Sequence, residues 1–441
     1  MSVVAIGDRL SITLKEFLLP RFRKNFWLVA RKPMLRAIGM QIEEADVGSG
    51  SNVMPRVQNV ERVNSAYEAE VVHNHTPFGG GTYAQEIGAT LRPGKFIGTR
   101  SSLRMKFITQ SMEIPDQVLQ SSRSPEFSIV NELVENMDGA MHTMHQEMNR
   151  QMVGNKNGQL ALVNGAVNSS NVFTVQTNTS ATNEVPPAKH FQVGDVLLVG
   201  TTAQIEANPT TAKTVTVSSV DSATQFTSTT DETVADNDVI VRADVYDTTN
   251  SVYNEIEALE NLLSNTGTVQ NLDKAVNYWF QSEQPADVAT LALSDIDDLV
   301  AATRQFTPNP AASFLLGNRQ QWRRYAALLQ ANRRFNHSTP SDFSGNLVGG
   351  STGLSVFTPD GEIAFAMDDD VPDGLIYLVD PDGIAWLNFR EFGPADDALV
   401  KDGFPGQRKA GTLNYEFALW VGGNLAQTNA RGSGKLTGIT A

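Results

Sequence analysis

Residues 124–153 constrain this chain more than any other stretch. Phe127, Val130, Val134, Met137, Met141, Met144, Met148 and Met152 recur at steps of three and four, the spacing that puts side chains on one helical face. Ser124 fits the N-cap, Pro125 the first helical position and Gly154 the stop. At 1.5 Å per residue the helix is about 45 Å long. A rod of that length with one narrow apolar stripe suits a helix laid along a sheet, and the Met stripe reads as core packing.

The flanking segments supply sheets. Residues 64–115 read as a long two-stranded hairpin whose return strand alternates, with Leu103, Met105 and Phe107 on one face and Arg104 and Lys106 on the other. Pro93-Gly94 is a turn signal within it. Between 164 and 241 the only lysines or arginines are Lys189 and Lys213, and short runs such as DVLLVG and KTVTVSSV alternate with turn residues. This predicts a small all-β insertion over 164–246. Ser294 with Asp297 predicts a capping box for a helix ending near Phe306. ASFLLGNRQQWRRYAALLQ reads as a buried strand, then a helix capped by Asn318 with Trp322, Tyr325 and Leu329 inward. GLIYLVD, GIAWLNFREF and TLNYEFALWVGG read as late strands, the last central in a sheet because it is almost continuously apolar. The class is α+β, with no internal repeat.

Charge divides the chain. Residues 1–36 hold eight Lys/Arg and two acids, a balance of +6, which leaves −21 on the rest of a chain whose total is −15. Phe22, Phe26, Val29 and Ala30 suggest a short amphipathic helix in this basic arm, closed by Pro33, and DVGSGSN (46–52) a linker. A basic arm on an acidic body can meet nucleic acid or a neighbouring copy. With 441 residues the chain can hold two or three domains. It has no cysteine, which excludes disulfides and thiolate metal sites. No run of eighteen apolar residues is present, so no membrane span is predicted, and the first residues lack a signal-peptide pattern.

Motifs for chemistry fail on context. Gly349-Gly350-Ser351-Thr352-Gly353 has the G-x-S-x-G spacing of a nucleophile elbow, but no strand precedes it, no helix follows it and no histidine occurs after His337. Gly79-Gly80-Gly81 lacks both a nucleophile to serve and a following helix N-terminus for an anion. His73-Asn74-His75 spells a nuclease motif whose members are normally dispersed. His142 and His145, near Asp138, lack a clear third metal ligand. Asp368, Asp369, Asp370 and Asp373 do not match a calcium loop and read as a solvated acidic loop. Arg92, Lys95, Arg100, Arg104 and Lys106 could meet DNA, but no nucleic-acid motif supports it. No catalytic residue, metal or cofactor is expected.

The order that remains, arm, hairpin, long helix, β insertion, mixed domain and late central strand, resembles the major capsid protein of tailed bacteriophages with the HK-ninety-seven type of fold. The resemblance implies an N-terminal arm at 1–63, an extended hairpin loop at 64–115, and a peripheral domain with its spine helix at 116–163. An inserted β domain follows at 164–246, an axial domain with connections at 247–395, and returning peripheral strands at 396–441. GNKNGQLALVNG after the helix and FLLGNRQQWRRYAALLQ in the axial segment carry it alongside the late strands. It implies self-assembly into pentameric and hexameric capsomers of a virion formed in the host cytoplasm. Expected partners are a separate scaffolding protein or none, a portal protein, a possible decoration protein and packaged double-stranded DNA without sequence-specific contacts. A cargo-storing nanocompartment shares the implied fold. A serine hydrolase using Ser351 and a DNA-binding module working through residues 1–36 are the readings from other classes. Lys95 stands where some members crosslink to a neighbour, but no partner or catalytic acid for it is identifiable.

The expected contacts between copies are Gly79, Gly80, Gly81, Tyr83, Arg92, Lys95, Phe96 and Arg100 in the hairpin, with Arg21, Arg23 and Lys24 in the arm. A hairpin of about twenty residues per arm cannot bury both faces on its own body, so its apolar face is expected to lie on a neighbour.

Overall fold

The computed structural model describes residues 32–35, 57–59, 68–74, 98–115, 125–177, 186–207, 212–248, 252–285, 287–307, 313–331, 355–358, 361–394, 407–408 and 414–440. Helix α1 runs over Pro125–Val153. Its described side chains Ala140, Met141, Met144, Met148, Met152 and Val153 enter the largest core with Leu259, Leu263, Phe280, Trp386, Leu419 and Leu425. Unbranched Met fills the uneven gap between a helix and a twisted sheet. At Gly154 any Cβ would collide with the Arg150 carbonyl, whose oxygen accepts the Gly154 amide at 2.9 Å.

The sheet under α1 is made from distant pieces of chain. Strands β1 (Val57–Asn59), β2 (Glu68–Asn74), β3 (Gly98–Arg104) and β4 (Lys106–Pro115) precede the helix. β19 (Ile384–Pro394), β20 (Gln407–Arg408) and β21 (Asn414–Gln427) come late. β21 is central, antiparallel to β4 on one side and to β19 on the other, with β20 beside its first residues and β1 parallel to β19. Gly423 pairs with Lys106 and Asn388, and a Cβ on it would lie 2.6 Å from Leu387 O and 2.7 Å from Trp386 Cε2. Gly423→Ala should therefore cost about 1–3 kcal/mol through overpacking, read as a lower thermal midpoint. An unchanged midpoint would show that the two strands part easily there.

The hairpin is shorter than predicted, and its apolar side is covered. β2 pairs with β3 from Glu68↔Arg104 to Asn74↔Gly98, but β4 leaves this pair and joins β21. Ala69, Val71, Leu103 and Met105 are buried with Leu387 and Ala426 of the chain's own sheet. The expectation that this face needs a neighbour fails for the described residues. Residues 75–97 lie outside them.

Strands β5 (Ala161–Val163), β6 (Val167–Gln176), β7 (Val196–Gly200), β8 (Lys213–Ser222), β9 (Gln225–Val234) and β10 (Val239–Arg242) close a barrel in the order β10-β5-β6-β9-β8-β7. β5 therefore belongs to the barrel although it precedes residue 164. Phe173 and Phe226 stack at its centre, 5.0 Å apart. The pairs β11 (Tyr246–Asp247) with β12 (Val252–Tyr253) and β13 (Thr268–Val269) with β14 (Leu272–Asp273) lead back to the body.

A second sheet orders β16 (Ser355–Thr358), β17 (Gly361–Met367), β15 (Phe314–Gly317), β18 (Ile376–Val379) and β22 (Gly434–Leu436). Helices α2 (Leu293–Arg304) and α3 (Arg319–Ala331) pack on it. Tyr325 of α3 stacks on Phe365 at 5.5 Å, and Ile296 and Leu299 of α2 share that core. Asn318 caps α3 as its sequence predicts, its Oδ1 accepting the Gln321 amide at 3.0 Å. The α2 cap differs. Asp295, not Ser294 with Asp297, accepts the Ala292 amide at 2.8 Å, because the helix begins two residues earlier than the box implied, with Ala292 at the N-cap. Pro33, Met34 and Leu35 are themselves helical, with Met34 and Leu35 in the main core. Ser351 and the arm residues 22–30 lie outside the described residues.

Candidate functional site

The most heavily connected polar site is the acidic loop Asp368–Asp373. It is buried and paired, not solvated. The Asp368 and Asp370 side chains are 0% and 7% exposed. Lys32 of the arm donates to Asp368 Oδ1 at 3.0 Å and to Asp370 Oδ2 at 2.9 Å. Lys189, in the turn before β7, donates to Asp370 Oδ1 at 2.7 Å. Asn149 of α1 donates to both carboxylates, and Arg319 of α3 reaches Asp369 at 2.8 Å. Asp373 accepts from Thr177 and Asn318. The loop hangs from the second sheet, where the Asp368 amide donates to Gly317 O at 2.9 Å. Arm, long helix, barrel and second sheet thus meet on a single turn.

Burial sets the electrostatics of this junction. It alone would raise Asp370, but Lys189 and Lys32 outweigh it and hold that carboxyl well below the usual range. Burial wins at Asp368, which is pushed up. Lys32 is raised, because its two carboxylates outweigh its own desolvation. His190 lies 3.6 Å from Asp370. Its burial, then the neighbouring Lys189, push it down to about 3, so it sits neutral in the fold.

A second buried cluster joins α1 to the barrel. Arg150 pairs with Glu147 at 2.6 Å and with Glu255, and Arg242 of β10 reaches Glu147 at 3.3 Å. Burial would raise Glu147, but Arg150 and Arg242 bring it down to about 2. Between this cluster and the hairpin lies a polar cleft of about 780 Å³ lined by Arg104, Lys106, Tyr253, Glu257, Asn261 and Asn424, among others. Lys106 donates to the Tyr253 carbonyl and is part-buried, so it does not present its charge to a nucleic acid as the sequence allowed.

The predicted residues scatter. His73 is buried, 2.7 Å from Ser101 Oγ, with its ring against Trp279 and Phe280; its role is packing. His142 contacts Gln146 at 3.0 Å, while His145 is buried. Among the described residues no group of three His, Asp or Glu is placed to hold a metal ion. No helix among them is long and apolar enough to cross a membrane. The segment expected after Ser351 as a non-helix is the β16–β17 hairpin.

Of the expected copy-to-copy contacts only Arg100 is described. It stands on the outer face of β3, paired with Glu70 at 3.3 Å, both largely exposed. Gly79, Gly80, Gly81, Tyr83, Arg92, Lys95, Phe96, Arg21, Arg23 and Lys24 lie outside the described residues. Val72, directly across from Arg100, is 60% exposed. Sequence alone does not mark it, because Val71 and Val72 are adjacent and only one of the two can face the core.

Solved structures match this chain across most of its length. It is similar to the cyanophage A-1(L) capsid asymmetric unit, with 12% identity and a TM-score of 0.45 over 88% of this chain and 91% of that one. Mycobacterium phage Bobi matches at 8% identity and a TM-score of 0.36, covering 87% and 88%. The encapsulin SrpI of Synechococcus elongatus matches at 8% identity and 0.36, covering 90% and 95%. No protein-family model and no curated protein matches.

Proposed function

We propose that the chain is the repeating structural subunit of an icosahedral tailed-phage head enclosing double-stranded DNA, and that it works by assembly and not by catalysis. The observation that carries this reading is the order and layering of the elements. A hairpin precedes a 29-residue helix, the helix lies on a sheet, and the sheet's central strand β21 arrives only after the barrel and the second sheet. That is the order the capsid resemblance implies. The acidic balance of the body fits a wall that does not hold packaged phosphate tightly. A portal protein and packaged double-stranded DNA are its proposed partners, with a separate scaffolding protein or none and a decoration protein as an optional addition. The virion is its location.

Sedimentation and negative-stain microscopy of the full chain, alone and with candidate scaffolds, test this. Closed shells of uniform size are the expected result. Compact monomers under every condition would overturn it, and shells that carry an enzyme in place of DNA would assign the chain to nanocompartments. Bulky replacements at Gly79–Gly81 should reduce particle yield while leaving monomer folding intact. Normal particles from that variant would remove the glycine run from the contact.

A further inference from the structure

Asp370 is one carboxylate with two cations from opposite parts of the chain. Its Oδ1 accepts from Lys189 of the barrel at 2.7 Å and its Oδ2 from Lys32 of the arm at 2.9 Å. Lys32 also binds Asp368, whose Oδ1 accepts the Asp370 amide at 3.0 Å. Two residues beyond Lys32, Met34 and Leu35 are buried in the core under α1. The same turn is fixed from α1 by Asn149 and from α3 by Arg319. The turn therefore takes its position from all these contacts together.

We propose that the Asp368–Asp370 turn is a coupling element between the barrel and the N-terminal arm, so that loosening the barrel's hold on Asp370 loosens the arm at residues 32–35. When Lys189 leaves, Asp370 keeps one cation and gains access to water through the small gap lined by Pro187, Lys189, His190 and Asp373. The turn then relaxes toward the barrel side, and Lys32 loses the geometry that lets it span two carboxylates. Members of one buried charge network do not act independently, and their coupling is measurable in double-mutant cycles. The charged or titratable groups facing the turn are Lys32, Lys189, His190, Arg319 and, beyond His190, Arg150 and Glu147. The connection runs both ways, since linkage between two sites is reciprocal. Whatever binds the barrel near Lys189 changes the hold on the arm, and whatever seats the arm tightens the barrel. This goes beyond the shell reading and stands or falls without it.

Hydrogen exchange of the full chain tests it, reading the amides of Met34 and Leu35. Lys189→Met should raise their exchange by about tenfold, within the range that contacting charges give in such cycles. Lys189→Arg, which keeps the charge, should restore most of the protection. Lys213→Ala removes an exposed barrel lysine that pairs with Glu232 at 3.7 Å, away from the turn, and should leave the arm unchanged. In the reverse direction, Lys32→Met should raise exchange in residues 187–191. If Lys189→Met frees the barrel turn but leaves Met34 and Leu35 protected, or if Lys213→Ala has the same effect as Lys189→Met, the coupling is refuted. Should Lys189→Met not fold, Lys189→Gln, which removes the charge and keeps a polar side chain, reads the same amides with the same expected rise. Protection unchanged in that variant refutes the coupling equally.

Discussion

Arg150→Ala should destabilise the chain by about 3–5 kcal/mol, the usual cost of removing one partner from a buried ion pair. The Arg150 side chain is 4% exposed and is shared by Glu147 and Glu255, which are 15% and 12% exposed. Deleting it leaves Glu147 to Arg242, itself part-exposed, and to the Gln151 amide, and takes from Glu255 the guanidinium it holds. The loss comes from stranded charge more than from the pair's intrinsic worth, and this distinguishes it from loss of packing. Combining Arg150→Met with Glu147→Gln and Glu255→Gln removes all three charges and should recover most of the stability. Denaturant midpoints of the single and triple variants check this. A single variant within about 0.5 kcal/mol of the parent, the size of an ordinary surface effect, would mean that water reaches the cluster.

Acid should weaken the fold in a window set by His190. Its folded value of about 3 lies below the ordinary imidazole value of 6.5. A group depressed by folding contributes stability that is complete above the unfolded value and is lost as pH falls toward the folded one. Proton uptake by the unfolded chain alone therefore costs about 2 kcal/mol between pH 6.5 and 5, and about twice that by pH 3. Asp370 is also depressed, but its stabilisation is kept above the ordinary carboxylate value and disappears only below about pH 4. The two groups thus act in different ranges. Denaturant titrations at a series of pH values should show a slope between pH 6.5 and 4 that His190→Gln removes, while a steep loss below pH 4 persists. An identical slope in His190→Gln would place the sensitive group elsewhere.

What the sequence made legible follows from what periodicity records. The long helix was readable because its stripe keeps one face over 29 residues. The central strand was readable because it is covered by α1 on one face and paired on both edges, so almost every position is apolar. The hairpin was misread for a related reason. Leu103, Met105 and Phe107 alternate without a break, yet the chain changes sheets at Met105, where β3 ends and β4 begins. Alternation tells which face a residue takes, not which strand it pairs with. Phe107 shows the difference, since it stacks on Trp420 at 5.3 Å, in a strand more than three hundred positions later.

The acidic junction was illegible for a simpler reason. A run of three aspartates usually faces water, and the lysines that neutralise this one stand 338 and 181 positions away. Lys32 read as one more charge in a basic arm, and Lys189 as an isolated cation in a Ser/Thr-rich segment. Nothing local marks either as a partner of Asp370. Of the candidate contacts in the arm and over 79–100, only Arg100 falls among the described residues.

The placement of β21 has a consequence for the order of events during synthesis. Its partners β4 and β19 are made early and late, and among the described residues β4 finds its antiparallel neighbour only when residues 414–423 exist. The stripe of α1 likewise waits for Leu419, Val421 and Leu425 to cover it. Pairings of such long sequence separation form slowly, since the loop entropy must be met before the contact stabilises anything. The barrel, by contrast, closes within residues 161–242 and can form while later chain is still being added. A nascent chain would therefore carry a finished barrel on a body whose central strand has yet to arrive.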